Sequence, residues 1–167
     1  MSSHNAFQVK KVLTSLILGT LLAICTAMAT SAADTDPIVG TWKLNLARSV
    51  FAGIPPLKSQ VRTYSGSARK LTLKMVTVSA EGKETTTQTT YQLDGKNYPS
   101  IGNLDFDSLS GVQIDRNTAE FTLRRSGKQV GKIRRAVSND GRTLTINYVI
   151  TNADGIQTSA LTLFDKQ

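Results

Sequence analysis

The chain has 167 residues, 40% of them hydrophobic and 19% charged, and a net charge of +8. Its one cysteine, Cys25, and its one histidine, His4, both fall in the first thirty residues. The rest of the chain therefore holds no disulfide, no Cys–His or Ser–His–Asp arrangement, and no zinc site of the nitrogen/sulfur kind.

Lys10 and Lys11 precede an uncharged apolar run over 12–24, and Ala27-Met28-Ala29 then places small residues at cleavage positions. The pattern reads as a signal peptide over 1–29, with Ser31-Ala32-Ala33 offering cleavage as late as 33. The run lacks a basic stop-transfer flank, so no membrane span is expected after cleavage. Leu22-Ala23-Ile24-Cys25 has the outline of a lipobox, but Ile24 is too large for the residue before a lipidated cysteine. Residues 30–37 read as a short linker and 38–167 as one folded domain. Beyond the leader 18 basic residues face 12 acidic ones, a net charge near +6. Such a basic protein, expected outside the cytoplasm, meets anionic lipid headgroups, polysaccharide or small acids sooner than nucleic acid.

No helix is expected after the leader. Short β-rich runs alternate with turn signals at Glu81-Gly82, Asp94-Gly95, Gly127-Lys128, Asp140-Gly141 and Asp154-Gly155. Strands are predicted over 38–47, 59–65, 70–79, 84–93, 111–116, 119–126, 129–138, 142–151 and 156–165. The fold class is all-β, an antiparallel up-and-down meander of about 8–10 strands. Residues 47–58, with Gly53, Pro55 and Pro56, read as a crossing loop. Residues 97–110 read as the longest irregular stretch, of a length that tends to be functional or mobile.

Turn parity sorts the faces. With Asp140-Gly141 as a tight loop, Val137 pairs with Leu144 and Arg135 with Ile146. With Asp154-Gly155 as the next, Tyr148 pairs with Leu161 and Ile146 with Leu163. One face then carries Ile133, Arg135, Val137, Leu144, Ile146, Tyr148, Ile150, Leu161 and Leu163, the other Lys132, Arg134, Thr143, Thr145 and Asn147. A Gly127-Lys128 turn sets Glu120 opposite Arg135 on the apolar face, with Arg124 nearby. That pair reads either as a structural ion pair or as an anchor for an acidic head group, because a guanidinium forks onto a carboxylate.

In the first strand Gly40, Trp42, Leu44 and Leu46 share a face. Trp42, inward and preceded by glycine, suits the floor of a barrel. Gly40-Thr41-Trp42, followed by Lys-Leu-Asn-Leu, resembles the first strand of the calycin superfamily, which includes the lipocalins and the fatty-acid-binding proteins. Leu163-Phe164-Asp165-Lys166 is similar to the last strand of the fatty-acid-binding branch. The chain also resembles small secreted bacterial proteins of lipocalin-like type. The resemblance implies an antiparallel barrel holding apolar small molecules. The chain departs from the fatty-acid-binding branch in two ways. Residues 47–58 are too short for that branch's helix pair, and its carboxylate-holding arginine and tyrosine are matched here by Thr162 and Phe164.

The expected function is non-catalytic: a lipocalin-like barrel binding a small apolar or amphiphilic ligand, with no cofactor, no metal and no nucleic acid. The candidate ligand-binding residues are Trp42, Glu120, Arg124, Ile133, Arg135, Ile146, Tyr148 and Leu161. Two alternatives stand beside this reading. One is an interaction module using the basic outer face around Arg124, Arg125, Lys128, Lys132, Arg134 and Arg142 toward an anionic envelope component or a partner protein. The other is a carboxylate-dependent enzyme. Asp105-Phe106-Asp107 offers oxygens to calcium but lacks the remaining ligands.

Overall fold

A computed structural model describes residues 36–167 except 54, 56, 68 and 69. The leader read over 1–29, with His4 and Cys25, and the start of the linker lie outside the described residues. Eleven strands follow in order: β1 (Gly40–Leu44), β2 (Val50–Ala52), β3 (Leu57–Ser67), β4 (Lys70–Ser79), β5 (Glu84–Tyr91), β6 (Asp94–Ile101), β7 (Ser108–Gln113), β8 (Thr118–Arg125), β9 (Lys128–Val137), β10 (Thr143–Thr151) and β11 (Gln157–Lys166). Each neighbouring pair is antiparallel, and β1 pairs with both β3 and β11. Ten strands thus close a barrel, and β2 is added along the edge of β11 beyond β1. The only helical piece among the described residues is a 3₁₀ turn, Leu46–Arg48, capped by the Asn45 side chain. That turn interrupts the predicted 38–47 strand and swings Leu46 out to 41% exposure, away from the inner face expected for it.

Pleat alternation fills the interior. Trp42, Leu44, Tyr64, Leu71, Tyr91, Phe121, Val137, Leu144 and Phe164 are all buried inside. Trp42 is fully buried at the closed end, donates its indole N–H to the Ile38 carbonyl at 2.7 Å, and carries the Lys166 ammonium 5.0 Å above its ring. Gly40 adopts φ +133°, a conformation L side chains rarely take, and a Cβ there would meet Lys166 Cε at 3.0 Å. The glycine before the tryptophan therefore lets the chain turn into the floor while Lys166 covers the ring.

Three register findings differ from the sequence expectation. Between β10 and β11 the loop holds five residues, 152–156, because Asn152 Oδ1 accepts from the Asp154 and Ile156 N–H groups. An odd loop reverses parity. Tyr148 faces Ala160, Ile146 faces Thr162, and Leu161 and Leu163 turn outward. Leu161 is 42% exposed and pairs with Val50 of β2.

The second difference lies in the β8–β9 hairpin. Its turn is Ser126-Gly127, both at positive φ (50° and 76°), and a bulge follows between Leu123 and Arg124. Moving the turn by one residue preserves parity, but the bulge reverses it. Glu120 consequently pairs with Arg134, and Ala119 faces Arg135.

The third concerns 97–110, expected to be irregular. Most of its first half is strand β6, and only 102–107 is loop. Pro99 is tolerated there because β5 and β6 share just two register pairs, Gln88↔Ile101 and Thr89↔Ser100.

Gly111 of β7 has an ordinary backbone, and its role is space. An added Cβ would lie 2.6 and 2.7 Å from Phe121 ring atoms and 2.8 Å from Leu93 Cδ2. Phe121 is held edge-on against Tyr91, with centroids 5.5 Å apart. Gly111→Ala should therefore cost about 1–3 kcal/mol by overpacking, read as a lower urea midpoint with unchanged slope.

Candidate functional site

The strand ends sort the barrel into a floor at Trp42 and a mouth formed by the loops 80–83, 102–107, 126–127 and 152–156. Between them lies a cavity of about 240 Å³. Leu73, Met75, Leu109, Leu123, Ile133 and Ile150 supply its apolar wall, and Gln60, Thr77, Thr87, Thr89 and Ser100 a polar one. Tyr148 stands in the wall, and Asp105 and Phe106 close in from the mouth loop. Deeper in, a void of about 30 Å³ touches Tyr64, Tyr91, Phe121, Ile146 and Arg135. The two spaces share Arg62, Leu73, Leu109 and Ile133.

Arg135 borders that void. It is 2% exposed. One terminal nitrogen donates to the Tyr91 hydroxyl at 2.8 Å, while its Nε is buried without a partner. The guanidinium carbon lies 5.4 Å from the Phe121 ring centre and 5.7 Å from that of Tyr64. Arg62 reaches inward from β3, stacks on Phe164 at 5.0 Å and donates Nε to Gln60 at 3.1 Å. Among the described residues no carboxylate is within ion-pair distance of either guanidinium. Two aromatic faces and one hydroxyl return only part of the several kcal/mol that burying a cation costs. Burial pushes the Tyr91 hydroxyl above its ordinary range, with Arg135 opposing. Tyr91 stays protonated, and its O–H remains free to donate. Burial likewise raises Tyr148, with Arg62 pulling it down and Asp105 adding to the rise.

The site residues expected from sequence divide accordingly. Ile133, Arg135, Ile146 and Tyr148 come together around the two spaces. Trp42 is the floor beneath them and lines neither space. Three expectations are corrected. Leu161 faces outward because of the five-residue loop. Glu120 is on the outer surface, bonded to Arg134 at 2.6 Å, because the bulge reverses its face. Arg124 is also outside, donating to Asn97 at 2.8 Å and Ser110 at 2.9 Å. Sequence reasoning missed Arg62, Tyr91 and the hydroxyl wall. The alternation of Gln60, Arg62 and Tyr64 was the available signal, but polar residues at alternate positions read as a solvent face.

A larger depression of about 450 Å³ lies on the outer surface along Ser110, Glu120, Lys132, Arg134 and Asn147. It is open to solvent, and the Glu120–Arg134 pair partly neutralises the basic face. The interior site is smaller but holds the unmet charge.

No protein-family model matches this chain, and no curated protein matches it by sequence. Solved structures do. The zebrafish ileal bile acid-binding protein complexed with cholic acid superposes with a TM-score of 0.50 at 11% identity, over 78% of this chain and 99% of that one. The barrel is lipocalin-like. The siderocalin Ex-FABP is a more distant likeness, with a TM-score of 0.38 at 14% identity over 78% of this chain and 74% of that one.

The mouth loop of this lipocalin-like barrel is pinned by one carboxylate. Asp107 accepts from the Ser126 N–H at 2.6 Å and the Ser108 hydroxyl at 2.9 Å. Its backbone bridges Ser100 and Arg124, and the Arg125 guanidinium holds the Asp105 carbonyl. The Ser126 bond, foremost, lowers the Asp107 pKa. A depressed folded pKa means that this clamp is complete above the unfolded value of about 3.9 and is lost as pH falls through the folded one. Protection of the Ser126 amide relative to its intrinsic exchange rate should therefore fall at acid pH, and Asp107→Asn should lower it at neutral pH.

Removing the buried charge should be favourable to the empty protein. Arg135→Met combined with Tyr91→Phe should raise unfolding stability by about 1–4 kcal/mol, measured by urea denaturation of ligand-free protein.

Proposed function

We propose that this chain is a non-catalytic carrier, exported to the periplasm or the exterior of a bacterium, that takes a small amphiphilic anion into its barrel. The observation that carries the reading is Arg135, a buried cation lacking a counter-charge on the border of an interior cavity. An empty barrel bears that cost, and an anionic head group relieves it. The head would enter the deep void, accepting from the Arg135 Nε and the Tyr91 hydroxyl, with Arg62 adding a second positive charge. Charge-assisted bonds of this kind are the stronger sort, and low surrounding polarity strengthens them further. The tail would lie along Ile133, Leu109, Leu123 and Ile150, where burial contributes about 25 cal/mol per Å² of apolar surface.

The similar zebrafish protein holds an amphiphilic acid, cholic acid, in the same kind of barrel. The positions where the fatty-acid-binding branch carries its clamp do face the interior here, but hold Thr162 and Phe164. Arg135 and Arg62 take over the task from β9 and β3. Against catalysis, Asp105 is the one carboxylate among the described residues of the cavity wall, so no pair of them converges there to share acid and base roles. Exported location rests on the leader pattern over 1–29.

Native mass spectrometry of protein purified from its own envelope fraction, followed by organic extraction, tests the reading. A bound carboxylic acid is expected, lost on Arg135→Met and retained on Arg124→Met. Affinity should hold above about pH 5 and fall below about pH 4 as the ligand carboxylate protonates, since guanidinium stays charged throughout. A ligand-free mass together with no uptake of an apolar dye would overturn it.

A further inference from the structure

Taking the carrier reading as its basis, we infer that the ligand is a medium-chain carboxylic acid of about ten carbons with a hydroxyl at the end remote from its head. Three observations lead there.

The first is the size of the head site. The deep void holds about 30 Å³, room for about two waters at about 10–15 Å³ of such space each. A planar carboxylate can enter by displacing that much solvent and letting the guanidinium fork meet it. A tetrahedral sulfate or phosphate head, with more oxygens to place, cannot.

The second is the size of the tail site. The cavity of about 240 Å³ lies just below the range of about 300–1,000 Å³ usual for ligand pockets, and so suits a short chain. A sixteen-carbon chain or a steroid nucleus would have to project through the mouth.

The third is the chemistry of the wall. Along β5 the inward side chains are Tyr91, Thr89 and Thr87, running from the head site toward the mouth. Thr89 donates to Ser100 at 2.9 Å, and Thr77 accepts from Gln60 at 2.9 Å. Thr87 is 7% exposed, and its side-chain hydroxyl makes no hydrogen bond among the described residues. It lies four residues from Tyr91, about 13 Å at ~3.3 Å per residue, which an extended ten-carbon acid reaches with its far end. A plain alkyl terminus would leave the Thr87 hydroxyl unpaired, and a terminal hydroxyl satisfies it. A second carboxylate there is opposed by Asp105 in the wall at the mouth.

Calorimetric titration of the lipid-stripped protein with 10-hydroxydecanoate, decanoate, decanedioate, decyl sulfate and hexadecanoate tests this. 10-Hydroxydecanoate should bind tightest, about tenfold tighter than decanoate, the scale of one hydrogen bond made or left unmade. Thr87→Val should remove that difference, weakening 10-hydroxydecanoate and strengthening decanoate, whose alkyl end then leaves no hydroxyl unpaired. Hexadecanoate or decyl sulfate binding as tightly as 10-hydroxydecanoate would overturn the inference and leave the carrier reading standing. So would decanoate or decanedioate matching it. Failure of every acid to bind would overturn the carrier reading itself.

Discussion

β1 and β11 meet through three Cα pairs, Trp42↔Lys166, Lys43↔Asp165 and Leu44↔Phe164, and on that short seam the whole barrel depends. Without it the sheet would end in two exposed edges, and the interior cation would sit in water. The seam is short because β1 is short, and it is reinforced from both sides. Inside, Trp42 and Phe164 are fully buried and covered by Lys166 and Arg62 respectively. Outside, Asp165 accepts from Asn45 at 2.8 Å and from Arg48 at 3.4 Å. The 3₁₀ turn after β1 carries the chain across to β2, which continues the pairing with β11 toward the mouth.

Closure creates the dry space in which Arg135 matters. On an open sheet its guanidinium would be hydrated and unremarked. Enclosed among Phe121, Tyr64 and Tyr91, it becomes a standing electrostatic cost, one that the proposed anionic ligand would relieve. Packing around it leaves little freedom. Gly111 makes room for Phe121, Phe121 meets Tyr91 edge-on, and Tyr91 receives the guanidinium. On the proposed carrier reading, stability and binding are in tension at Arg135.

Much of the fold was legible in residue order. The turn signals and alternation named nine of the ten barrel strands in outline and placed Trp42 at the floor, and the Asp140-Gly141 hairpin put Arg135 beside Ile146 in the observed register. Errors arose where a single residue altered parity. The Asn152 turn adds one residue to a loop and reverses all of β11. The bulge after Leu123 adds one to β9 and sends Glu120 out to Arg134. Pro99 hid β6, because a proline within a strand argues against a strand unless its neighbour on that side is mostly unpaired.

The sequence by itself determined the class of structure and the inventory: antiparallel strands set by period-two patterning and glycine turns, a tryptophan floor, and a described domain without cysteine or histidine. These are local or compositional properties, and each can be read from a few neighbouring residues. The tertiary structure alone decided which charges are inside. Arg135 and Arg62 come from strands more than seventy residues apart, and Tyr91 reaches Arg135 from forty-four residues away. Whether such side chains meet depends on the summed parity of every loop and bulge between them and on the closure of the barrel, and no local window contains that sum.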